Sequence, residues 1–336
     1  MPLTRFAMFL CVFGLALHLA RQSAVAEEAA GQPEIQRLAD GAKGHVHPAI
    51  CVAKSGAVLV AHFAEADGKI LLLRSPDGGS TWKDLGPIAD IGGTFPYPGD
   101  LTTLQDGRIV LTWSAWLNPR DFKQGRRPMF ATSQDDGDTW SKPRALPLEY
   151  QEEAYIRHAI WERSPDEWIF PTGLGMLSLI PSSDTLKPFG DPTLRPGPLV
   201  QTKAGTLLHG RGFRSRDEGQ TWQELPGFPA VSSYRDDLVV LDNGWVVGAI
   251  ADDDKTFRLV ASYDDGETWN LDRHWVIYDP GRYIGRACPQ LAQLDNDHLG
   301  IVFWDANREQ PGGPGVMFAR VALRELQRRT AADQGP

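Results

Sequence analysis

Arginine, tyrosine and histidine side chains recur at equivalent positions along the chain, about nine to eleven residues before a series of Gly- or Asp-centred turns. These positions hold His45, His47, Tyr97, Tyr155, Arg157, Arg195, Tyr234, Arg235 and Arg286, with Tyr283 just upstream of the last. The Arg guanidinium holds a carboxylate or sulfate with two parallel hydrogen bonds. Tyr stacks on a sugar ring or donates a hydrogen bond to it. If the fold gathers these positions, they form a binding site for a small acidic sugar, with Arg157, Arg235, Arg286, Tyr97, Tyr234 and His45 in contact with it.

Carboxylates near the same positions offer acid–base chemistry. Asp67 lies in a short Asp-Gly loop, and Asp236 directly follows Arg235. Either carboxyl group can donate or accept a proton, so each can serve as an acid/base in the cleavage of a sugar.

Two other interpretations of the same residues stay open. In β-elimination next to a uronate carboxylate, Arg157 or Arg235 neutralises the carboxylate, and His47 or Tyr234 removes the neighbouring proton near neutral pH. In the third interpretation the arginines and aromatic side chains recognise a glycan without cleaving it. The arginines can also have a purely structural role. In that case they form ion pairs with Asp100, Asp236 and Asp237, and these pairs hold the ends of the strands.

An eight-residue pattern, Ser-x-Asp-x-Gly-x-Thr-Trp, occurs four times, as Ser75–Trp82, Ser133–Trp140, Ser215–Trp222 and Ser262–Trp269. The Asp carboxylate can accept backbone N–H groups of a tight turn, Gly adopts a φ that other residues avoid, and Trp packs between sheets. The pattern therefore predicts four β-hairpin turns of one kind.

A second repeat, out of phase with the first, consists of two apolar segments joined by a Gly or Asp turn. Its six copies are residues 48–63, 98–113, 158–171, 196–210, 236–250 and 289–304. Together the two repeats predict six four-stranded units, of which the third and sixth lack the Ser-x-Asp turn. Radial packing of such units leaves only short sheet edges. We therefore predict an all-β fold, a six-bladed β-propeller with four Asp-box hairpins.

The Asp boxes and their spacing resemble the sialidase superfamily over nearly all of residues 44–320. The first unit, from His47-Pro48-Ala49-Ile50 through Leu73-Arg74-Ser75, is similar to the opening blade of that family. The resemblance implies the sialidase-like propeller and an exo-α-sialidase-like glycoside hydrolase. It also implies three arginines on the substrate carboxylate, an Asp acid/base, and a Tyr nucleophile activated by a Glu. With a rebuilt set of this kind, the acid/base is Asp67 or Asp236 and the nucleophile is Tyr283 or Tyr234.

Most of the implied catalytic positions hold other residues here. Val46 stands at the place of the first arginine, and Arg235 at the place of the Glu that activates the nucleophile. Cys288 stands at the place of the Tyr nucleophile, and the loop that carries the acid/base Asp is shortened to residues 65–68. Because fold does not fix function, the sequence leaves open whether the chain cleaves a sugar or only binds one.

The N-terminus resembles a secretory signal, with Arg5, an apolar run and a small-residue cleavage site ending at Ala26. We therefore expect a secreted or periplasmic protein with a signal at 1–26, a linker at 27–43, the propeller at 44–322 and a C-terminal tail, with a short charged helix, at 323–336. The formal net charge of −9 argues against nucleic-acid and anionic-membrane partners. A glycan is the expected partner, and the oligomeric state stays open.

Cysteine usage predicts two thiols in the mature chain, Cys51 and Cys288. Their different distances from their turns place them about 13 Å apart along the strand direction, too far for a disulfide, so we expect buried free thiols. The Cys and His spacing contains no zinc pattern, and no loop has a calcium pattern. We predict no cofactor and no metal.

Overall fold

The computed structural model describes residues 32–42, 46–64, 68–88, 95–118, 122–194, 196–228, 236–251 and 254–331. Within these ranges the chain forms six antiparallel sheets of four strands each. The first strands contact one another in five of the six pairs of neighbouring sheets, so the sheets surround a common axis as six blades. The prediction of a six-bladed β-propeller is confirmed.

In blades one to five, the four strands are paired in chain order. Blade one contains β2 (Ala49–Val52), β3 (Val58–Ala64), β4 (Lys69–Ser75) and β5 (Lys83–Pro87), after the first strand of the chain, β1 (Glu34–Ala39). Blade two contains β6 (Phe95–Thr103), β7 (Ile109–Trp116), β8 (Arg126–Ser133) and β9 (Arg144–Ala145), with a short 3₁₀ helix at Phe122–Gln124. Blade three contains β10 (Trp161–Ser164), β11 (Glu167–Thr172), β12 (Gly175–Ile180) and β13 (Thr185–Pro188).

Blade four contains β14 (Leu199–Gln201), β15 (Leu207–His209), β16 (Phe213–Ser215) and β17 (Gln223–Glu224). Blade five contains β18 (Asp237–Val240), β19 (Val246–Ile250), β20 (Phe257–Ser262) and β21 (Trp275–Tyr278). Blade six contains β22 (Gln290–Gln293), β23 (His298–Asp305) and β24 (Gly315–Ala322), and helix α1 (Leu323–Thr330) follows it.

The outermost strand of blade six is β1, which pairs antiparallel with β24. Part of the expected linker at 27–43 is therefore a strand of the propeller, and the domain begins before residue 44. The strand was missed because its partner lies far away in sequence, so no local hairpin pattern marks it. Joining the two ends of the chain in one sheet closes the ring of blades.

Helix α1 also belongs to the folded domain, in contrast to the expectation of a tail from residue 323. Leu323, Leu326 and Thr330 are buried, and the Thr330 hydroxyl lies 2.6 Å from the phenol oxygen of Tyr263 in blade five. The guanidinium of Arg329 stacks on the ring of Trp275 at 5.1 Å. The sequence predicted the helix, but not this packing, which involves residues from distant segments. Among the described residues, no helix is both long enough and apolar enough to cross a membrane.

The hydrophobic core is divided into six clusters, each between two neighbouring blades. All eight residues of β7 are buried, because a second strand has blades against both of its faces. Phe318 of β24 packs with Val58 and Val60 of blade one in the cluster that closes the ring. Stability therefore depends on contacts between blades as well as within them.

The four Ser-x-Asp-x-Gly-x-Thr-Trp segments form turns with the same hydrogen bonds. In the first, the Ser75 hydroxyl donates to Asp77 Oδ1 at 2.8 Å and accepts the Gly79 N–H at 2.8 Å. The Thr81 N–H donates to Asp77 Oδ1 at 2.8 Å, and the Trp82 indole donates to the Gly79 carbonyl at 3.0 Å. The equivalent bonds recur in the segments that begin at Ser133, Ser215 and Ser262.

These turns give the protein an acid-sensitive element. Hydrogen bonds from the Thr81 hydroxyl and N–H lower the pKa of Asp77 to about 2, and those from Thr221 lower the pKa of Asp217 to about 2. The unfolded carboxyl ionises near pH 4, so this stabilisation is present above about pH 4 and is lost as the pH falls toward 2.

We therefore expect the thermal unfolding midpoint of the wild type to fall between pH 4 and pH 2, as measured by circular dichroism. The double variant Asp77→Asn, Asp217→Asn should show a flatter decline over that range. The exposed Asp272→Asn serves as a control and should follow the wild-type curve. Parallel curves for the double variant and the wild type would contradict this role of the turns.

Candidate functional site

The two faces of the propeller follow from strand order. In an antiparallel blade, the turn between strands one and two and the turn between strands three and four lie at the same end, so all four Ser-x-Asp turns lie on one face. The residues that precede each first strand lie on the opposite face, together with the connections between second and third strands. We call this second face the mouth. Among the described residues, it carries His47, Tyr155, Arg157, Tyr283 and Arg286, which the sequence singled out.

His47 and Arg157 meet at the mouth, from blades one and three. Nη1 of Arg157 lies 3.1 Å from Nδ1 of His47 and also contacts Nε2 of that ring. The Arg157 guanidinium also lies 5.7 Å from the ring centroid of Tyr155. The structure thus joins two of the predicted site residues, His47 and Arg157. His47 is buried and its imidazole is engaged with a cation, so it is poorly placed to accept a substrate proton.

A second arginine at the mouth, Arg126 at the start of β8, was not among the predicted site residues. Its guanidinium lies 4.3 Å from the ring centroid of Trp116 and 4.6 Å from that of Tyr155. Its Nε donates to the Glu152 carbonyl at 2.8 Å. Contact with two aromatic rings and a carbonyl fixes the position of the positive charge. Arg126 is the first residue of β8, the third strand of its blade. The binding positions predicted from the sequence all precede first strands, so they did not include Arg126.

Blade six presents Tyr283 and Arg286 at the mouth. Tyr283 is 58% exposed, and Arg286 is also exposed. The next two residues, Ala287 and Cys288, are buried. Their φ values are +36° and +48°, which residues other than glycine rarely adopt. Such backbone is often found at functional sites, because strain there persists only where the surrounding structure enforces it.

Arg282, which precedes Tyr283, belongs to a structural network. Its guanidinium donates to Asp305 Oδ1 at 3.1 Å and to Oδ2 at 2.9 Å, and the Tyr278 hydroxyl donates to the same Oδ2 at 2.7 Å. The side chain of Asp305 is fully buried, and Arg282 lowers its pKa although burial opposes this shift. Burial and the neighbouring carboxylate raise the pKa of Tyr278 to about 12.

Asp236, a predicted acid/base, is 4% exposed, and its Oδ1 accepts the Ala251 N–H at 2.7 Å. This bond ties the start of blade five to the end of its second strand. The catalytic role of Asp236 stays a prediction, and the observed contact gives it a structural role.

Two further carboxylates are buried near the propeller axis. Asp100 Oδ1 accepts the Leu101 N–H at 2.6 Å, and Asp237 Oδ2 accepts the Leu291 N–H at 2.9 Å. Burial raises the pKa of Asp237 to about 7, and the Asp236 charge adds to this. Burial and the charge of Asp237 raise the pKa of Asp100 well above its ordinary value. Backbone N–H groups are thus partners of both carboxylates.

Several predicted site residues lie outside the described residues: His45, Asp67, Arg195, Tyr234 and Arg235. Tyr97 lies in β6, and only its backbone is described. The expected signal at 1–26 also lies outside the described part of the chain.

Cys51 and Cys288 are both buried free thiols, which confirms the prediction made from their turn registers. Burial raises the pKa of Cys51 to about 12, so its thiol is protonated at neutral pH.

No protein-family model matches the sequence, and no curated protein matches it. Solved structures do match the fold. A protein of unknown function from Dyadobacter fermentans matches with a TM-score of 0.62 at 18% identity, over 86% of this chain and 98% of that one. A mutant of the NanB sialidase from Streptococcus pneumoniae matches with a TM-score of 0.62 at 12% identity, over 88% of this chain and 71% of that one.

The intramolecular trans-sialidase from Ruminococcus gnavus, solved with oseltamivir carboxylate, matches with a TM-score of 0.59 at 11% identity. The match covers 88% of this chain and 98% of that one. The chain therefore has the sialidase-like six-bladed propeller fold, and the resemblance seen in its sequence is confirmed at the level of fold.

Proposed function

We propose that this chain is an exported sialidase-like protein whose mouth binds an acidic sugar. The observation that carries the proposal is the fixed pair of guanidinium groups at the mouth, Arg126 and Arg157, which both contact the ring of Tyr155. Positive charge held in this way, on a chain with a formal net charge of −9, favours a carboxylate ligand at this face. The exposed Arg286 lies on the same face and adds to this charge.

The structurally similar sialidases support this ligand class. The Ruminococcus gnavus trans-sialidase was solved with oseltamivir carboxylate, and Trypanosoma rangeli sialidase with the inhibitor DANA and with 2,3-difluorosialic acid. Export rests on the N-terminal sequence.

Hydrolysis of a glycosidic bond is the second candidate function, and the exposed Tyr283 favours it. Tyr283 lies at the mouth, shortly before the left-handed backbone of Ala287 and Cys288 in the sequence. In this scheme Tyr283 is the nucleophile and Asp67 the acid/base. Elimination next to a uronate carboxylate is less favoured, because one of its two candidate bases, His47, is bound to Arg157.

The proposal predicts that Arg157→Ala weakens binding of N-acetylneuraminic acid. Loss of a charged hydrogen bond costs about 1.5–3 kcal/mol, so the Kd measured by calorimetry should rise roughly ten- to a hundredfold. The matched control is Arg324→Ala, an exposed arginine of α1 on the opposite face, which should leave the Kd unchanged.

A fluorogenic sialoside separates hydrolysis from recognition in the same preparations. Turnover by the wild type that Tyr283→Phe abolishes would support the hydrolase, and binding without turnover would support recognition alone. An unsaturated product from uronate-containing glycans would point to elimination. If Arg157→Ala binds every tested acidic sugar as the wild type does, the mouth site is wrong.

A further inference from the structure

Gln290, at the start of β22, carries a buried oxygen without a hydrogen-bond partner. The residue is 7% exposed. Its Nε2 donates to the Gly99 carbonyl at 3.2 Å and to the Arg157 carbonyl at 3.1 Å. These two acceptors fix the orientation of the amide, because a flipped amide would place oxygen against oxygen. Oε1 therefore points away from both carbonyls, and it has no partner.

Gln290 connects the two chain segments that carry the buried carboxylates Asp100 and Asp237. On one side, Gly99 immediately precedes Asp100 in blade two. On the other, the peptide N–H of Leu291, next to Gln290, binds Asp237 of blade five. Blades two and five face each other across the axis of a six-bladed ring, and the charge of Asp237 raises the pKa of Asp100. Both side chains are buried, at 4% and 6% exposure.

The amide oxygen of Gln290 has no hydrogen-bond partner, and the two carboxyl groups are buried. Without a further ligand, these groups lower the stability of the fold. An unpaired polar oxygen in the interior costs about 1–3 kcal/mol, and ionising two buried carboxyl groups costs more, which is why both pKa values are raised. A divalent cation between them would neutralise both carboxylates and satisfy the amide oxygen at once.

We propose that the axial carboxylates of Asp100 and Asp237 and the side-chain oxygen of Gln290 bind a divalent cation of the calcium class. All three donors are hard oxygen ligands, which suit calcium better than zinc. Among the residues that the structure describes, no group of three or more His, Cys, Asp or Glu could hold a metal ion. The site therefore needs the amide of Gln290, and water molecules would complete the coordination. This proposal departs from the prediction of no metal that was made from the sequence.

This inference goes beyond the proposed function, since it concerns the axis of the blades and requires no sugar. Calcium would join blades two, five and six through their first strands. Its expected effect is therefore greater stability, whether or not the mouth binds a ligand.

The test is calorimetric titration of calcium chloride into the full mature chain after treatment with EDTA and removal of the chelator. We expect one calcium ion per chain and a rise in the thermal unfolding midpoint when calcium is added. Changes around metal ligands commonly cost ten- to a hundredfold in affinity, so Asp237→Asn should weaken calcium binding by about tenfold or more. The exposed Glu224→Gln, on the outer strand of blade four, should bind as the wild type does.

If Asp237→Asn does not fold, Asp100→Asn and Gln290→Met provide the same test. Each removes one proposed ligand and should lower both the calcium affinity and the thermal shift. The proposal is overturned if the wild type binds no calcium, or if all folded variants bind it with wild-type affinity.

Discussion

Arg282→Ala should destabilise the protein by about 3 kcal/mol, the lower end of the range for an unpaired buried charge. The substitution leaves Asp305, whose side chain is fully buried, without the guanidinium that binds both of its oxygens. The lower end applies because the Arg282 side chain is 32% exposed, so water screens part of the interaction. Urea unfolding followed by tryptophan fluorescence measures the change.

The pH dependence of the same variant identifies the charge on Asp305 as the cause. Arg282 lowers the pKa of Asp305, so its stabilising effect is present above about pH 4 and is lost as the pH falls below that value. The difference between Arg282→Ala and the wild type should therefore shrink below pH 4. Adding Asp305→Asn to Arg282→Ala should restore stability at neutral pH. A difference under about 0.5 kcal/mol at neutral pH would show that the pair is not important for folding.

Gly79→Ala should destabilise the protein by about 3 kcal/mol, because the turn of Ser75–Trp82 packs tightly against blade six. A Cβ atom at Gly79 would lie 2.4 Å from the ring of Phe318, and φ is +91° there. Phe318 has little room to move, since Trp82 packs edge-on against it at 5.1 Å. Overpacking costs about 1–3 kcal/mol, and a left-handed backbone adds about 1–2 kcal/mol for a side chain.

Gly78→Ala is the matched control for this prediction, because it is in the same turn. Its φ is +67°, and a Cβ atom there meets nothing within 4 Å. It should show only the backbone strain, about 1 kcal/mol. The difference between the two variants, read from urea unfolding, isolates the contact between blades one and six. If both variants lose the same free energy of unfolding, the ring of Phe318 moves aside to accommodate the methyl group and the contact is weak.

The six hairpins and the four Asp-box segments could be read from the sequence because their signals are local. Turn residues, alternating apolar residues and the repeated motif all lie within short windows, and each window specifies one hairpin. Strand β1 could not be found in this way, because Glu34–Ala39 gains its partner only in β24. The packing of α1 on blades five and six has the same non-local origin.

The candidate site was only partly accessible from the sequence. Equivalent spacing from turns placed His47 and Arg157 in one ring, and the structure shows that they touch. Spacing could not show that Asp236 is buried or that Arg282 binds Asp305, since both depend on side-chain orientation in neighbouring strands. Arg126 was missed because it begins a third strand, whereas the predicted binding positions precede first strands. Its stacking on Trp116 and Tyr155 combines residues that no short motif connects.

The central claim, that the mouth holds an acidic sugar by its carboxylate, is tested most directly with a pair of ligands that differ only in that group. N-acetylneuraminic acid and its methyl ester are titrated calorimetrically into the wild type and into Arg157→Ala. We predict that the wild type binds the acid at least about tenfold more tightly than the ester, and that Arg157→Ala reduces this preference. Equal affinity of the wild type for both ligands, or a preference that Arg157→Ala leaves intact, would contradict the account.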